Sequence, residues 1–128
     1  MDHRDDEIAP AELEELLESD EEVRIVDIRA PAQFDRGAIP GSENVPFGEL
    51  PGHVEAFADA DRVVTVCPHG KASLRAMRLI ESYEGAEGTE VRSLAGGLDA
   101  WSRDYGLENG RNEERDGSDG ESSPEAPF

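Results

Sequence analysis

The chain is 128 residues long, enough for one domain that buries roughly two thirds of its unfolded surface and too short for a second. Its 31 acidic residues oppose 12 basic ones, a formal net charge of −19 that disfavours DNA, RNA and anionic lipid as partners, since no basic stripe offsets the repulsion. One cysteine, Cys67, can form no internal disulfide and cannot supply a cysteine-based zinc site; no metal or other cofactor is expected. No run of about 18 apolar residues occurs, and the opening MDHRDDEIAP is acidic where a secretory signal is basic then apolar, so the expectation is a soluble, cytoplasmic protein.

In chain order, Ala9, Leu13, Leu16 and Leu17 recur at helical spacing, with Pro10 suited to a first turn. Val23–Ile28 and Val63–Val66 are nearly continuous β-branched runs, the pattern of parallel strands covered on both faces. Between them, Ala30–Gly52 holds four prolines and four glycines, too many for a long helix; it reads as a compact ordered loop that admits a turn at Gln33–Arg36. Val54–Ala60 suits a short helix. Beyond Ser73, Ala76, Leu79, Ile80 and Tyr83 mark a longer one; Thr89–Leu94 reads as a third strand, and Leu98, Trp101 and Tyr105 as the inner side of a last helix. Strands alternating with helices imply an α/β sheet with helices on both faces. From Glu108 the composition turns to an acidic, disordered tail carrying seven acids and two bases, which still leaves −14 on residues 1–107. Eleven of the 12 bases are arginine and only Lys71 is lysine, a balance like that of proteins from salt-accumulating halophiles.

Cys67 follows a strand directly and precedes a helix, so Cys67, Pro68, His69, Gly70, Lys71 and Ala72 form a strand-to-helix loop that runs into Ser73. Ligands bind at that carboxyl edge of open α/β sheets, and a helix start aims unpaired N–H groups at an anion. Both favour a thiolate, which free cysteine, with a pKa near ~8.5, supplies to only a few per cent at neutral pH. His69 and Lys71 are the local candidate cations, and Gly70 lets the loop turn back on itself. A cysteine after a buried strand can equally be a small hydrophobe, and the loop alone does not choose between these.

Four motifs, in order, do choose. CPHGKAS, VDIR with Asp27 and Arg29, PAQFDRGAIPGSENVP and LAGGLDAW together resemble the rhodanese-like single-domain sulfurtransferases over about Ile8–Leu107. The resemblance implies a five-stranded parallel sheet flanked by helices, spanning residues 1–107, in which Cys67 accepts sulfane sulfur as a persulfide and passes it on. It implies a small-molecule donor such as thiosulfate, an acceptor such as cyanide or a thiol, or an acceptor protein in a sulfur relay. Pro68, His69, Gly70, Lys71, Ala72 and Ser73 are then the substrate-binding loop, and Asp27 and Arg29 structural support. Gln33, Ala38 and Ala9 depart from the family's usual Glu, His and Ser, and the first change is expected to weaken a contact of Arg29 by about 1 kcal/mol. Two rival readings are a phosphatase or arsenate reductase, disfavoured because Ser73 stands where an arginine belongs, and a non-catalytic interaction module, which usually lacks the cysteine.

Overall fold

The computed structural model describes residues 6–108; the tail expected from the sequence lies outside them, apart from Glu108. Five parallel strands form one sheet in the order β1-β5-β4-β2-β3: β1 (Glu7–Ile8), β2 (Arg24–Asp27), β3 (Glu43–Asn44), β4 (Arg62–Val66) and β5 (Glu90–Leu94). The helices are α1 (Pro10–Glu18), α2 (Pro31–Arg36), α3 (Val54–Phe57), α4 (Ala72–Glu81) and α5 (Gly97–Asp104), with 3₁₀ turns at Phe47–Gly52 and Glu84–Ala86. This is the α/β architecture expected from the alternation of strands and helices.

Side chains alternate across the central strands. In β4, Val63 and then Cys67 just beyond the strand's end join the core with Ala76, Met77 and Ile80 of α4, while Val64 and Val66 pack with Leu13 of α1 and Leu98 and Trp101 of α5. Both faces are covered, which is why the strands read as unbroken apolar runs. The same two-residue period puts the Cys67 side chain beneath α4 rather than α5.

The segment Ala30–Gly52 is more structured than a loop. Pro31 opens α2, enclosing the turn expected at Gln33–Arg36, and β3 and a 3₁₀ turn follow. Val45 and Phe47 donate to the carbonyls of Asp27 and Ile28, and Asn44 Nδ2 donates to those of Asp27 and Arg29, so the segment is tied to the end of β2. The N-cap of α1, Ala9, makes no side-chain cap, an omission worth about 1 kcal/mol, and Pro10 sets the first turn. α4 ends at Glu81, two residues before Tyr83, and Tyr105 lies just past α5 with its ring 4.7 Å from that of Trp101.

After β2 the chain goes outward to β3 and then returns to the other side as β4. The direction of winding reverses there, and the carboxyl ends of β2 and β4 flank the crevice where such sheets bind ligands.

Candidate active site

Cys67 is the first residue beyond β4, joined to the end of β2 by the Ile28 N–H donating to the Val66 carbonyl at 3.0 Å. Gly70, at φ 92°, turns the loop back, and its N–H donates to Cys67 Sγ at 3.0 Å. The Ser73 N–H donates to the same sulfur at 3.3 Å. The N-cap of α4 is Lys71, whose side chain makes no cap, so the sulfur takes the role of an N-cap oxygen and satisfies an amide in the first turn. The Ser73 side chain adds a third contact, at 3.3 Å between Sγ and Oγ.

A second helix start holds the loop from behind. The first N–H groups of α5, from Leu98 and Asp99, donate to the carbonyls of Cys67 and Pro68 at 2.9 and 3.0 Å. In a trans peptide the carbonyl and the following N–H point oppositely, so anchoring the Pro68 carbonyl on α5 turns the His69 N–H toward the sulfur side. The approach needs both glycines of LAGGLDAW. Gly96 and Gly97 have φ of 72° and 63°, and a Cβ on Gly97 would run into the Cys67 and Pro68 carbonyls. A Cβ on Gly70 would stand 2.9 Å from the Gly96 nitrogen. The loop and the α5 turn therefore fit only as glycine against glycine.

Cys67 is 2% exposed. Burial pushes its thiol up, but the Ser73 hydroxyl and the N–H groups of Ser73, Gly70 and His69 outweigh that and bring it below the ordinary value. These are hydrogen bonds, fixed by backbone geometry. The side chains of His69 and Lys71, the candidate cations, lie exposed at the rim with Pro68, while Gly70 and Ser73 are buried and Ala72 is half-buried.

Asp27 and Arg29 form a two-pronged pair beside the loop. Arg29 donates to both Asp27 oxygens, at 2.7–3.1 Å, and to the Gly37 carbonyl at 2.7 Å. Neither hydrogen-bonds to the cysteine; the pair joins the end of β2 to the turn after α2. Gln33 is exposed and no Arg29 hydrogen bond goes to it, so the contact expected to weaken at that position is not among those holding the guanidinium.

Three participants escaped the sequence reading. Thr65 Oγ1 donates to the Ser73 carbonyl at 2.7 Å, Ser93 Oγ lies 2.6 Å from Ser73 Oγ, and Asp99 holds the loop through its backbone. Thr65 and Ser93 sit at buried positions of β4 and β5, and a small polar residue within a strand, Thr65 between Val64 and Val66 and Ser93 before Leu94, is the available signal.

The rhodanese-like domain model matches residues 9–104. The thiosulfate sulfurtransferase GlpE of Pseudoalteromonas translucida is 37% identical over 100 residues, covering 77% of this chain and 90% of its own. A sulfurtransferase of Allochromatium vinosum is 33% identical over 102 residues, 79% of this chain and 91% of its own. Among solved structures, the human single-domain sulfurtransferase superposes with a TM-score of 0.67 at 28% identity, over 77% of this chain and 96% of its own.

Proposed function

Because the chain belongs to the rhodanese-like domain family, we propose that it is a sulfurtransferase that carries sulfane sulfur on Cys67. The observation that carries this reading is the ring of donors around Cys67 Sγ, with the N–H groups of Gly70 and Ser73 at 3.0 and 3.3 Å. Such a ring stabilises sulfur as an anion, the form that acts as nucleophile.

The thiolate attacks the outer sulfur of thiosulfate. A new S–S bond forms, the old one breaks, and sulfite leaves with its electron pair. The resulting Cys67 persulfide is then attacked at its outer sulfur by cyanide or a thiol, which departs with that sulfur and returns the thiolate. Two displacements sharing one intermediate give ping-pong kinetics. The loop amides stabilise the developing charge, and Lys71 and His69 at the rim supply local positive potential in a chain of net charge −19. With no second cysteine, the acceptor comes from outside, as a small molecule or as a partner in a relay.

The test is the intact mass of protein treated with thiosulfate in concentrated KCl, followed by cyanide and a thiocyanate assay, beside Cys67→Ser. One added sulfur atom, removed by cyanide and absent from the variant, is expected; no added mass on folded protein overturns the reading. Lys71→Glu is expected to slow turnover with thiosulfate at least severalfold at unchanged melting temperature, and unchanged turnover removes Lys71 from the mechanism.

A further inference from the structure

Behind the loop, Ser73 and Ser93 form a chain of hydroxyls that ends on the sulfur. Both serines are 0% exposed. The oxygens are 2.6 Å apart, and Cys67 Sγ lies 3.3 Å from Ser73 Oγ, where a neutral thiol donates to the hydroxyl and a thiolate accepts from it. Among the described residues, Ser93 Oγ has one hydrogen-bond partner, Ser73 Oγ.

We propose that Ser93, acting through Ser73, is a positioning residue that sets the direction of this hydrogen-bond chain so that Cys67 rests as the thiolate. A buried hydroxyl hydrogen without an acceptor is costly. The Ser93 hydrogen has one acceptor, the Ser73 oxygen, and once it is donated there the Ser73 hydrogen turns to the sulfur. The reverse order, with the thiol donating to Ser73 and Ser73 to Ser93, strands the hydrogen of Ser93 inside the core. In the favoured order every hydrogen bond to Cys67 Sγ is donated to it: the Ser73 hydroxyl joins the N–H groups of Gly70 and Ser73. Donation from Ser93 also polarises Ser73 and makes it the stronger donor.

The charged groups on the loop and on the elements around it are His69 and Lys71, Arg75, Arg78 and Glu81 of α4, Arg24 and the Asp27–Arg29 pair of β2 and its end, Arg62 of β4, Glu90 and Arg92 of β5, and Asp99, Arg103 and Asp104 of α5, with Asp99 ion-paired to Arg103. All stay in place when Ser93 is changed. The inference concerns the resting sulfur and does not depend on which donor loads it.

Cys67 is the sole cysteine, so the pH titration of ultraviolet thiolate absorbance in the full chain, with Cys67→Ser as the blank, reports on this sulfur alone. Ser73→Ala is expected to raise the midpoint by about one to two units and Ser93→Ala by about half a unit. Because Ser93 acts through Ser73, Ser93→Ala placed on Ser73→Ala moves the midpoint no further. An unmoved midpoint in Ser93→Ala, or a full additional shift in the double variant, overturns the proposal. Should Ser93→Ala lose the fold, Ser93→Thr and Ser93→Val, equal in shape and differing in the hydroxyl, carry the test: the first keeps a lower midpoint than the second, and equal midpoints overturn it. Failure of the sulfur-transfer reading shows in the mass experiment and leaves this titration untouched.

Discussion

At the amino end of the sheet, Arg24 and Arg62 open β2 and β4 and reach Glu43 at 2.9 Å and Glu21 at 2.6 Å through side chains that are a third to a half exposed. At the carboxyl end, Asp27 and Arg29 meet with 1% and 11% of their side chains exposed, and the cysteine sulfur is ringed by donors that belong mostly to the backbone. The first kind of charge is solvated and adjustable. The second is fixed by the fold and shielded from ions. A protein of net charge −19 can therefore vary its surface with the ionic medium while holding its reactive sulfur in one setting.

The largest departure from this division should follow removal of Asp27. Asp27→Ala leaves Arg29 buried without its partner and is expected to lower unfolding free energy by about 3–5 kcal/mol in denaturant titrations. Gly97→Ala, forced into positive φ against the Cys67 carbonyl, is expected to cost about 3 kcal/mol and to spoil sulfur loading as well. A variant that kept both stability and loading would show that the α5 turn does not hold the loop. Next comes pH. The fold favours the charged sulfur, so loading is expected to run at full rate above the folded pKa and to fall away as pH drops through it, with a midpoint below the thiol's ordinary value. The stability that the sulfur adds relative to Cys67→Ala follows the same sign, complete above the unfolded value and lost as pH falls through the folded one. A loading midpoint at or above the free value would mean that burial wins over the ring of donors.

The smallest effect belongs to the amino end. A double-mutant cycle on Arg24 and Glu43 is expected to give at most about 1 kcal/mol, shrinking in concentrated KCl, whereas the Asp27–Arg29 coupling persists. Overall stability should meanwhile rise with KCl as the net negative charge is screened. Equal salt response at both ends would erase the distinction.

The same division explains what could be read from sequence. The runs around Ile25 and Val64, and the helical spacing of Ala76 and Ile80, are local patterns repeated over a full element, and they were legible. Glu7–Ile8 and Glu43–Asn44 are strands of two residues, too short to show any period; only their neighbours β5 and β2 define them. In the site, Cys67 and its loop are contiguous and carry a motif. Ser93 lies 20 residues beyond Ser73 and meets it only because β5 pairs with β4. Sequence position carries no trace of that adjacency until the register is known. The cation reading of His69 and Lys71 came from charge, which a sequence displays. The N–H groups around the sulfur are legible only as the general property of a helix start; which of them reach Sγ depends on the turn at Gly70 and the anchoring of the loop on α5.

Glu108 exchanges two hydrogen bonds with Ala38, each 2.7 Å, in an antiparallel bridge at the turn after α2. Leu107 packs beside Gly37, whose carbonyl receives Arg29. Tension applied along the chain beyond residue 108 would thus be borne first by this short clasp, and through Gly37 by the Arg29–Asp27 tether. Excising the chain after residue 107 would unfasten the clasp and with it one support of the turn whose carbonyl receives Arg29.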